Sequence, residues 1–187
     1  VWRRFQYKID TSGIYTQLAP AATNFTVGAV NIEENDKRDP LPYRTPTEIQ
    51  RQQTLSSNGV NLLLNEQSMS LQFCNLVKGD ARGVFQTFAN RDLRQYRKMA
   101  MYIHAEKAKV GPPLADKDLT AVIRRGTDFV NNYYQIRIPL NLTGLGASTL
   151  DPNSAKYNDT LWLASDALDI DLQSLIQLKQ KRNADPS

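Results

Sequence analysis

The sequence predicts a mainly all-β protein: an antiparallel β-sandwich of jelly-roll or galactose-binding-like topology, ending in a short C-terminal helix. Apolar and polar residues alternate at period two in several segments, which is typical of strands with one buried face. The strand candidates follow one another without a helix between each pair, which argues against a parallel α/β fold. Many connections are longer than a hairpin needs, as in Greek-key and jelly-roll sandwiches.

About six segments are predicted as strands, with boundaries uncertain by about 2–4 residues. They are Phe5–Ile9, Phe25–Ile32, Ser68–Phe73, Met99–His104, Leu119–Arg124 and Tyr134–Ile138. In the last of them, alternation directs Tyr134, Ile136 and Ile138 towards the core and Gln135 and Arg137 outwards. The same rule places Leu71 and Phe73 on one face of their strand.

Helical signals concentrate at the C-terminus. Leu172, Leu175, Ile176 and Lys179 recur at helical spacing, so we predict a short helix there. A single helical turn is expected within Asp80–Phe88. We predict one domain over residues 1–183, followed by a frayed tail at 184–187.

Composition excludes several functional classes. The 187 residues carry a net charge of only +4, and the basic residues have acidic neighbours, so a nucleic-acid partner is not expected. No apolar run approaches the roughly 20 residues of a membrane helix, so this segment is expected to be soluble, without membrane contact of its own. Because Val1-Trp2-Arg3-Arg4-Phe5 reads as strand and no initiating methionine precedes it, we expect a piece of a longer protein.

Candidate catalytic residues are few. His104 is the only histidine and Cys74 the only cysteine, so a Ser-His-Asp or Cys-His arrangement would depend on one imidazole. We expect His104 to be a surface or second-layer strand residue and Cys74 a small buried residue. We therefore predict no enzymatic activity, no catalytic residue and no cofactor.

Two groups of carboxylates could suggest a calcium site. They are Glu33, Glu34 and Asp36, and Asp166, Asp169 and Asp171. Neither has the alternating Asp-x-Asp-x-Asp-Gly spacing of a calcium loop, so we interpret them as a solvated turn and a helix N-terminus and predict no metal site.

A carbohydrate-binding module is the alternative function, with a glycan as ligand. Sugar-binding sandwiches stack rings on exposed aromatic residues, and the candidates here are Tyr102, Tyr133, Tyr134 and Trp162. Asp159-Thr160-Leu161 is similar to a short bacterial O-glycosylation motif.

Several stretches, in this order and spacing, together resemble one protein family. They are Ile32–Arg38, Pro42–Pro46, Ile49–Arg51, Leu64–Leu71, Gly79–Val84, Leu93–Glu106 and Asp128–Tyr134. The chain is similar, from about Trp2 to Asn183, to a portion of the SprA family, called Sov in some species.

The resemblance implies a function that the residues alone do not. SprA proteins form a very large outer-membrane β-barrel, the translocon of the type IX secretion system of Bacteroidota, through which folded cargo is exported and on which gliding motility depends. This chain would be a soluble insertion on the periplasmic or cell-surface side. Its implied partners are other type IX secretion components and exported cargo proteins.

A partner could dock by adding a strand to an exposed sheet edge. We predict such an edge in the segment from Tyr133 to Leu140. The residues are Tyr133, Tyr134, Gln135, Arg137 and Pro139. Pro139 suits an edge or a strand end because it donates no ladder hydrogen bond.

Overall fold

A computed structural model describes residues 3–9, 15–17, 23–55, 61–88, 95–128 and 131–185. Within these ranges the chain consists mostly of strands in small antiparallel sheets, with few helices. The strands are β1 (Arg3–Ile9), β2 (Tyr15–Gln17), β3 (Asn24–Asn31), β4 (Gln53–Leu55), β5 (Asn61–Leu63), β6 (Gln67–Cys74), β7 (Asp80–Phe85), β8 (Lys98–Met101), β9 (Thr120–Gly126), β10 (Tyr133–Pro139) and β11 (Leu168–Asp171). The helices are α1 (Ile32–Asn35), α2 (Ala155–Leu161) and α3 (Leu172–Ala184).

The chain divides into two compact units. The first comprises Val1–Val30 and Gln67–Asp92, and the second comprises Asn31–Glu66 and Leu93–Ser187. The prediction of a single domain over residues 1–183 stays a prediction. Asp185 ends α3 by donating its backbone N–H to the Lys181 carbonyl, and the last two residues of the predicted tail lie outside the described ranges.

The first unit contains a three-stranded sheet, in the order β2-β1-β7, and the pair β3-β6. The predicted helical turn within Asp80–Phe88 is wrong, because Asp80–Phe85 is strand β7 and pairs antiparallel with β1. That pairing joins segments far apart in the sequence, so local propensity could not reveal it.

Strand β6 also corrects two expectations about burial. Cys74 is exposed rather than buried. Phe73 is 37% exposed, although alternation assigned it to a buried face; its ring stacks on Phe25 with centroids 5.1 Å apart. Alternation thus identified the strand, but the described residues leave much of that face uncovered.

The second unit contains the antiparallel pairs β4-β5, β8-β11 and β9-β10. The strand predicted over Met99–His104 ends at Met101, and β8 pairs with β11, which the sequence did not predict. A mainly antiparallel β structure is confirmed. The sandwich and jelly-roll or galactose-binding-like arrangement stays a prediction.

The core of the second unit lies around helix α2. Leu41, Ala147, Tyr157 and Leu161 are buried together, with Leu150 and Trp162 packed against them. Ser154 caps the helix, its hydroxyl accepting the Tyr157 backbone N–H at 3.1 Å. This cap allows the seven-residue helix to begin at Ala155, so that Tyr157 and Leu161 face the core.

The predicted C-terminal helix is confirmed as α3. The Asp171 carboxylate caps it by accepting the Gln173 backbone N–H at 2.9 Å. Leu172 is buried, whereas Ile176 and Leu178 are 37% and 57% exposed. Across the described parts of the chain, no helix combines the length and hydrophobicity needed to cross a membrane.

Candidate functional site

The predicted partner edge lies on the hairpin formed by β9 and β10. The strands are in register from Tyr133 opposite Gly126 to Pro139 opposite Thr120. The Leu140 backbone N–H donates to the Leu119 carbonyl at 2.9 Å, and the Thr127 N–H donates to the Asn132 carbonyl at 3.0 Å.

These two bonds determine which way each backbone group of β10 points. In an antiparallel ladder, hydrogen-bonded and non-hydrogen-bonded pairs alternate. Since residues 132 and 140 belong to hydrogen-bonded pairs, the even positions of β10 face β9. The backbone groups of Tyr133, Gln135 and Arg137 therefore point away from β9, and Pro139 offers a carbonyl there but no N–H.

Among the described residues, β10 has no ladder partner on this outer side. Four of the five residues predicted for the edge supply its backbone groups. Tyr134 does not, because its backbone faces β9. Within the part of the chain that the structure describes, the outer side of β10 is therefore an open strand edge.

The side chains on one face of the hairpin stiffen it. The Arg124 guanidinium lies 4.2 Å from the centroid of the Tyr133 ring, a cation–π contact. Arg124 Nε also donates to Gln135 Oε1 at 2.9 Å. These contacts pack side chains of the two strands against each other on this face of the hairpin.

A groove of about 380 Å³ lies where β10 begins, with α3 as one wall. Its lining residues are Gly126, Thr127, Asn132, Tyr133, Tyr134, Leu178, Lys179 and Arg182. Sequence reasoning missed Lys179 and Arg182 as site residues, because only the fold brings α3 to the hairpin.

Gly126 is required at the end of β9. A Cβ atom there would lie 2.0 Å from the Asn132 carbonyl oxygen and 2.5 Å from the Tyr133 Cα. The close approach of the two backbones therefore excludes any side chain at this position.

His104 belongs to a different cluster of titratable groups in the same unit. Its Nδ1 lies 2.9 Å from the Leu161 carbonyl and its Nε2 lies 3.1 Å from Glu106 Oε2. Both contacts are with oxygen atoms that accept hydrogen bonds, so each ring nitrogen of His104 has a partner. The ring is half-buried, within a 5.9 Å centroid distance of Trp162, rather than on the surface of a strand.

Glu106 links this histidine to Arg38, whose two terminal nitrogens bond its two carboxylate oxygens, one of them at 2.8 Å. Burial alone would raise the pKa of Glu106, but the hydrogen bonds and charges of His104 and Arg38 outweigh that effect and lower the pKa to about 2. Both ring nitrogens of His104 thus have hydrogen-bond partners. The cluster links segments that are distant in the sequence, which is a structural role.

The three carboxylates of the second candidate calcium group have separate roles. Asp166 is 1% exposed and accepts the backbone and side-chain N–H groups of Asn141 at 2.9 and 2.8 Å. Asp169 pairs with Lys98 at 2.7 Å, and Asp171 caps α3. Among the described residues, no group of three potential ligands could hold a metal ion.

Three of the glycan-related residues, Trp162, Tyr102 and Thr160, make packing contacts or hydrogen bonds within the second unit. Trp162 donates its indole N–H to the Arg44 carbonyl at 3.0 Å and makes edge contacts with the rings of Tyr43 and Tyr102. Thr160 donates its hydroxyl to the Lys156 carbonyl at 2.7 Å within α2. These contacts give the carbohydrate alternative no support.

The comparison with curated proteins gives no match. A family model does match: SprA_N, described as motility related/secretion protein, aligns with residues 1–187, the whole chain. The resemblance inferred from the sequence motifs is thereby confirmed, and the chain belongs to the SprA_N family of motility and secretion proteins.

Proposed function

We propose that this chain is a non-catalytic structural or partner-docking domain of the type IX secretion outer-membrane translocon. In this role it supports protein export across the outer membrane and gliding motility. The family match supports the general role in motility and secretion. The observation that carries the docking role is the outer edge of β10, where the backbone groups of Tyr133, Gln135 and Arg137 point away from β9.

Such an edge binds an extended segment through main-chain hydrogen bonds, while the side chains beside it provide selectivity. The proposed partners are other secretion components or exported cargo, and the parent protein is proposed to lie in the outer membrane. The two ring nitrogens of His104 contact the Leu161 carbonyl and the Glu106 carboxylate, which supports a non-catalytic role.

The test removes one backbone N–H group that points away from β9. In Gln135→Pro the lost N–H faces away from β9, so the β9-β10 ladder remains intact. Gln135→Ala is the matched control, because it loses the side-chain bond to Arg124 but keeps the backbone N–H. Both variants are introduced into the parent protein, and its outer-membrane level and the released cargo are measured together.

We expect Gln135→Pro to retain cargo in the periplasm at a normal parent level, and Gln135→Ala to export normally. Normal export by Gln135→Pro would overturn docking at this edge. If Gln135→Pro lowers the parent level, the domain supports assembly of the translocon rather than docking. Deletion of residues 2–183 tests the wider role. Normal cargo release without the domain would show that export does not require it.

A further inference from the structure

We propose that the groove at the start of β10 selects a partner strand that carries acidic residues at the end adjoining Tyr133. This inference deepens the proposed function and rests on it, since it names the chemistry of the segment that docks. The occupant is an acidic peptide segment of another protein.

The first support is that two cations on α3 form no ion pair with any described residue. Lys179 and Arg182 are exposed, three residues apart on α3, and both line the groove. Within the described residues neither has an ion-pair partner; Arg182 bonds only the neighbouring Asn183 amide oxygen, at 3.2 Å. No acidic residue occurs within α3.

The turn of the hairpin also carries a carboxylate, that of Asp128. Asp128 accepts the backbone N–H groups of Asn131 and Asn132 at 2.6 and 3.1 Å, and the Asn132 side chain at 2.8 Å. These bonds stabilise the turn, and within the described residues no ion pair joins Asp128 to Lys179 or Arg182, so the two cations of α3 remain available to an anionic ligand.

The second support is the composition of the opposite wall. Tyr133 and Tyr134 border the groove, and a tyrosine hydroxyl can donate to a carboxylate while its ring packs against a side-chain stem. Leu178, 57% exposed, adds apolar surface on the α3 side. A volume of about 380 Å³ accommodates a few side chains, which suits the end of a peptide.

The third support distinguishes a peptide from a nucleic acid. The groove adjoins an open strand edge, and a row of backbone N–H and C=O groups is complementary to another peptide backbone. The net charge of +4 over 187 residues is small, and the unpaired cations form a local pair rather than a stripe along which phosphates could run.

The experiment measures binding to the 187-residue chain by fluorescence anisotropy. The probes are labelled peptides in which an alternating Thr-Val hexapeptide is extended by Glu-Asp-Glu or, as the neutral match, by Gln-Asn-Gln. Each extension is made at either end, so that both strand directions are sampled. The variants are Lys179→Glu combined with Arg182→Glu, Gln135→Pro, and Lys181→Glu, an exposed lysine of α3 that does not line the groove.

We expect the acidic peptide to bind about fivefold more tightly than its neutral match, since two exposed ion pairs contribute about 1 kcal/mol together. Lys179→Glu with Arg182→Glu should abolish this preference, whereas Lys181→Glu should leave it within about twofold. Raising the salt concentration to about 1 M should reduce it, because exposed charges are screened.

The outcomes separate the two proposals. Equal binding of both peptides that Gln135→Pro weakens would overturn the acidic preference and leave docking at the β10 edge standing. An acidic preference unaffected by Gln135→Pro would overturn strand addition and keep the groove as an anion site. Absence of binding, or equal competition by double-stranded DNA or anionic vesicles, would overturn the acidic-peptide assignment.

Discussion

Glu106 remains ionised in a half-buried position because two basic side chains share its carboxylate. Arg38 and His104 come from segments well separated in the sequence, so the three side chains fix parts of the second unit that lack regular secondary structure. The cost of desolvating the carboxylate is recovered only while both partners are present.

Glu106→Gln should therefore lower the free energy of unfolding by about 2 kcal/mol at neutral pH, because Arg38 loses its counter-charge in a partly buried site. Urea denaturation of the 187-residue chain measures this. Asp159→Asn, at an exposed carboxylate of α2, is the control and should change stability by less than about 0.5 kcal/mol.

The wild type and Glu106→Gln together also test the pKa of Glu106. Its folded-state pKa, about 2, lies below the ordinary value of 4.5, so the ionised form stabilises the fold above about pH 4.5. This contribution is lost as the pH falls towards 2. The stability difference between the wild type and Glu106→Gln should shrink between about pH 5 and pH 2; a constant difference over that interval would contradict the assignment.

At the scale of elements, α2 anchors an irregular segment by side-chain bonds to its backbone. Tyr157 donates its hydroxyl to the Pro42 carbonyl at 2.7 Å, and Asn158 donates to the Thr45 carbonyl at 2.8 Å. Burial raises the pKa of the Tyr157 phenol, which keeps it a donor. One short helix thus positions a loop that has no ladder of its own.

The β9-β10 hairpin depends on the absence of a Cβ atom at Gly126. Gly126→Ala would place a methyl group against the Asn132 carbonyl, so we expect it to separate the first residue pairs and lower the free energy of unfolding by roughly 2 kcal/mol. Gly144→Ala is the control, because a methyl group at Gly144 would meet no atom within 4 Å and the φ angle there is −68°. Equal stability of the two variants in urea would contradict the close approach.

Sequence patterns predicted the elements that are specified by residues close together in the sequence. Alternation identified β10, and the spacing of Leu172, Leu175 and Ile176 identified α3. Strands β7 and β11 were missed because each is stabilised by a partner distant in sequence. For the site, Pro139 pointed to an edge, but only the hydrogen-bonding register shows which backbone groups face outwards, and only the fold brings Lys179 to Tyr133.

At the scale of the whole molecule, exposed apolar residues on the first unit should be detectable by dye binding. Met69 and Phe73 on β6 are 44% and 37% exposed, and Val77 just beyond is 60% exposed. Met69 and Phe73 lie four residues apart on β6 and so share one face of that strand, and exposed apolar surface that is contiguous binds hydrophobic dyes better than a single exposed residue does.

Met69→Ser combined with Phe73→Ser should therefore reduce the fluorescence of bound anilinonaphthalene sulfonate severalfold. Val110→Ser is the control, because Val110 is 90% exposed in a loop and should contribute nothing. A similar signal from both variants would show that the dye binds elsewhere. Circular dichroism spectra matching that of the wild type confirm that the comparison concerns folded protein.

Pro139 also bears on whether the chain joins copies of itself. An unpaired edge is a template for runaway association of identical molecules, and proteins blunt such edges with prolines and cations. The outer side of β10 has both, since Pro139 lacks a donor and Arg137 contributes a charge. Two copies meeting there would lose a ladder bond and bring like charges together, so the strand can accept a foreign segment while resisting growth into a fibre.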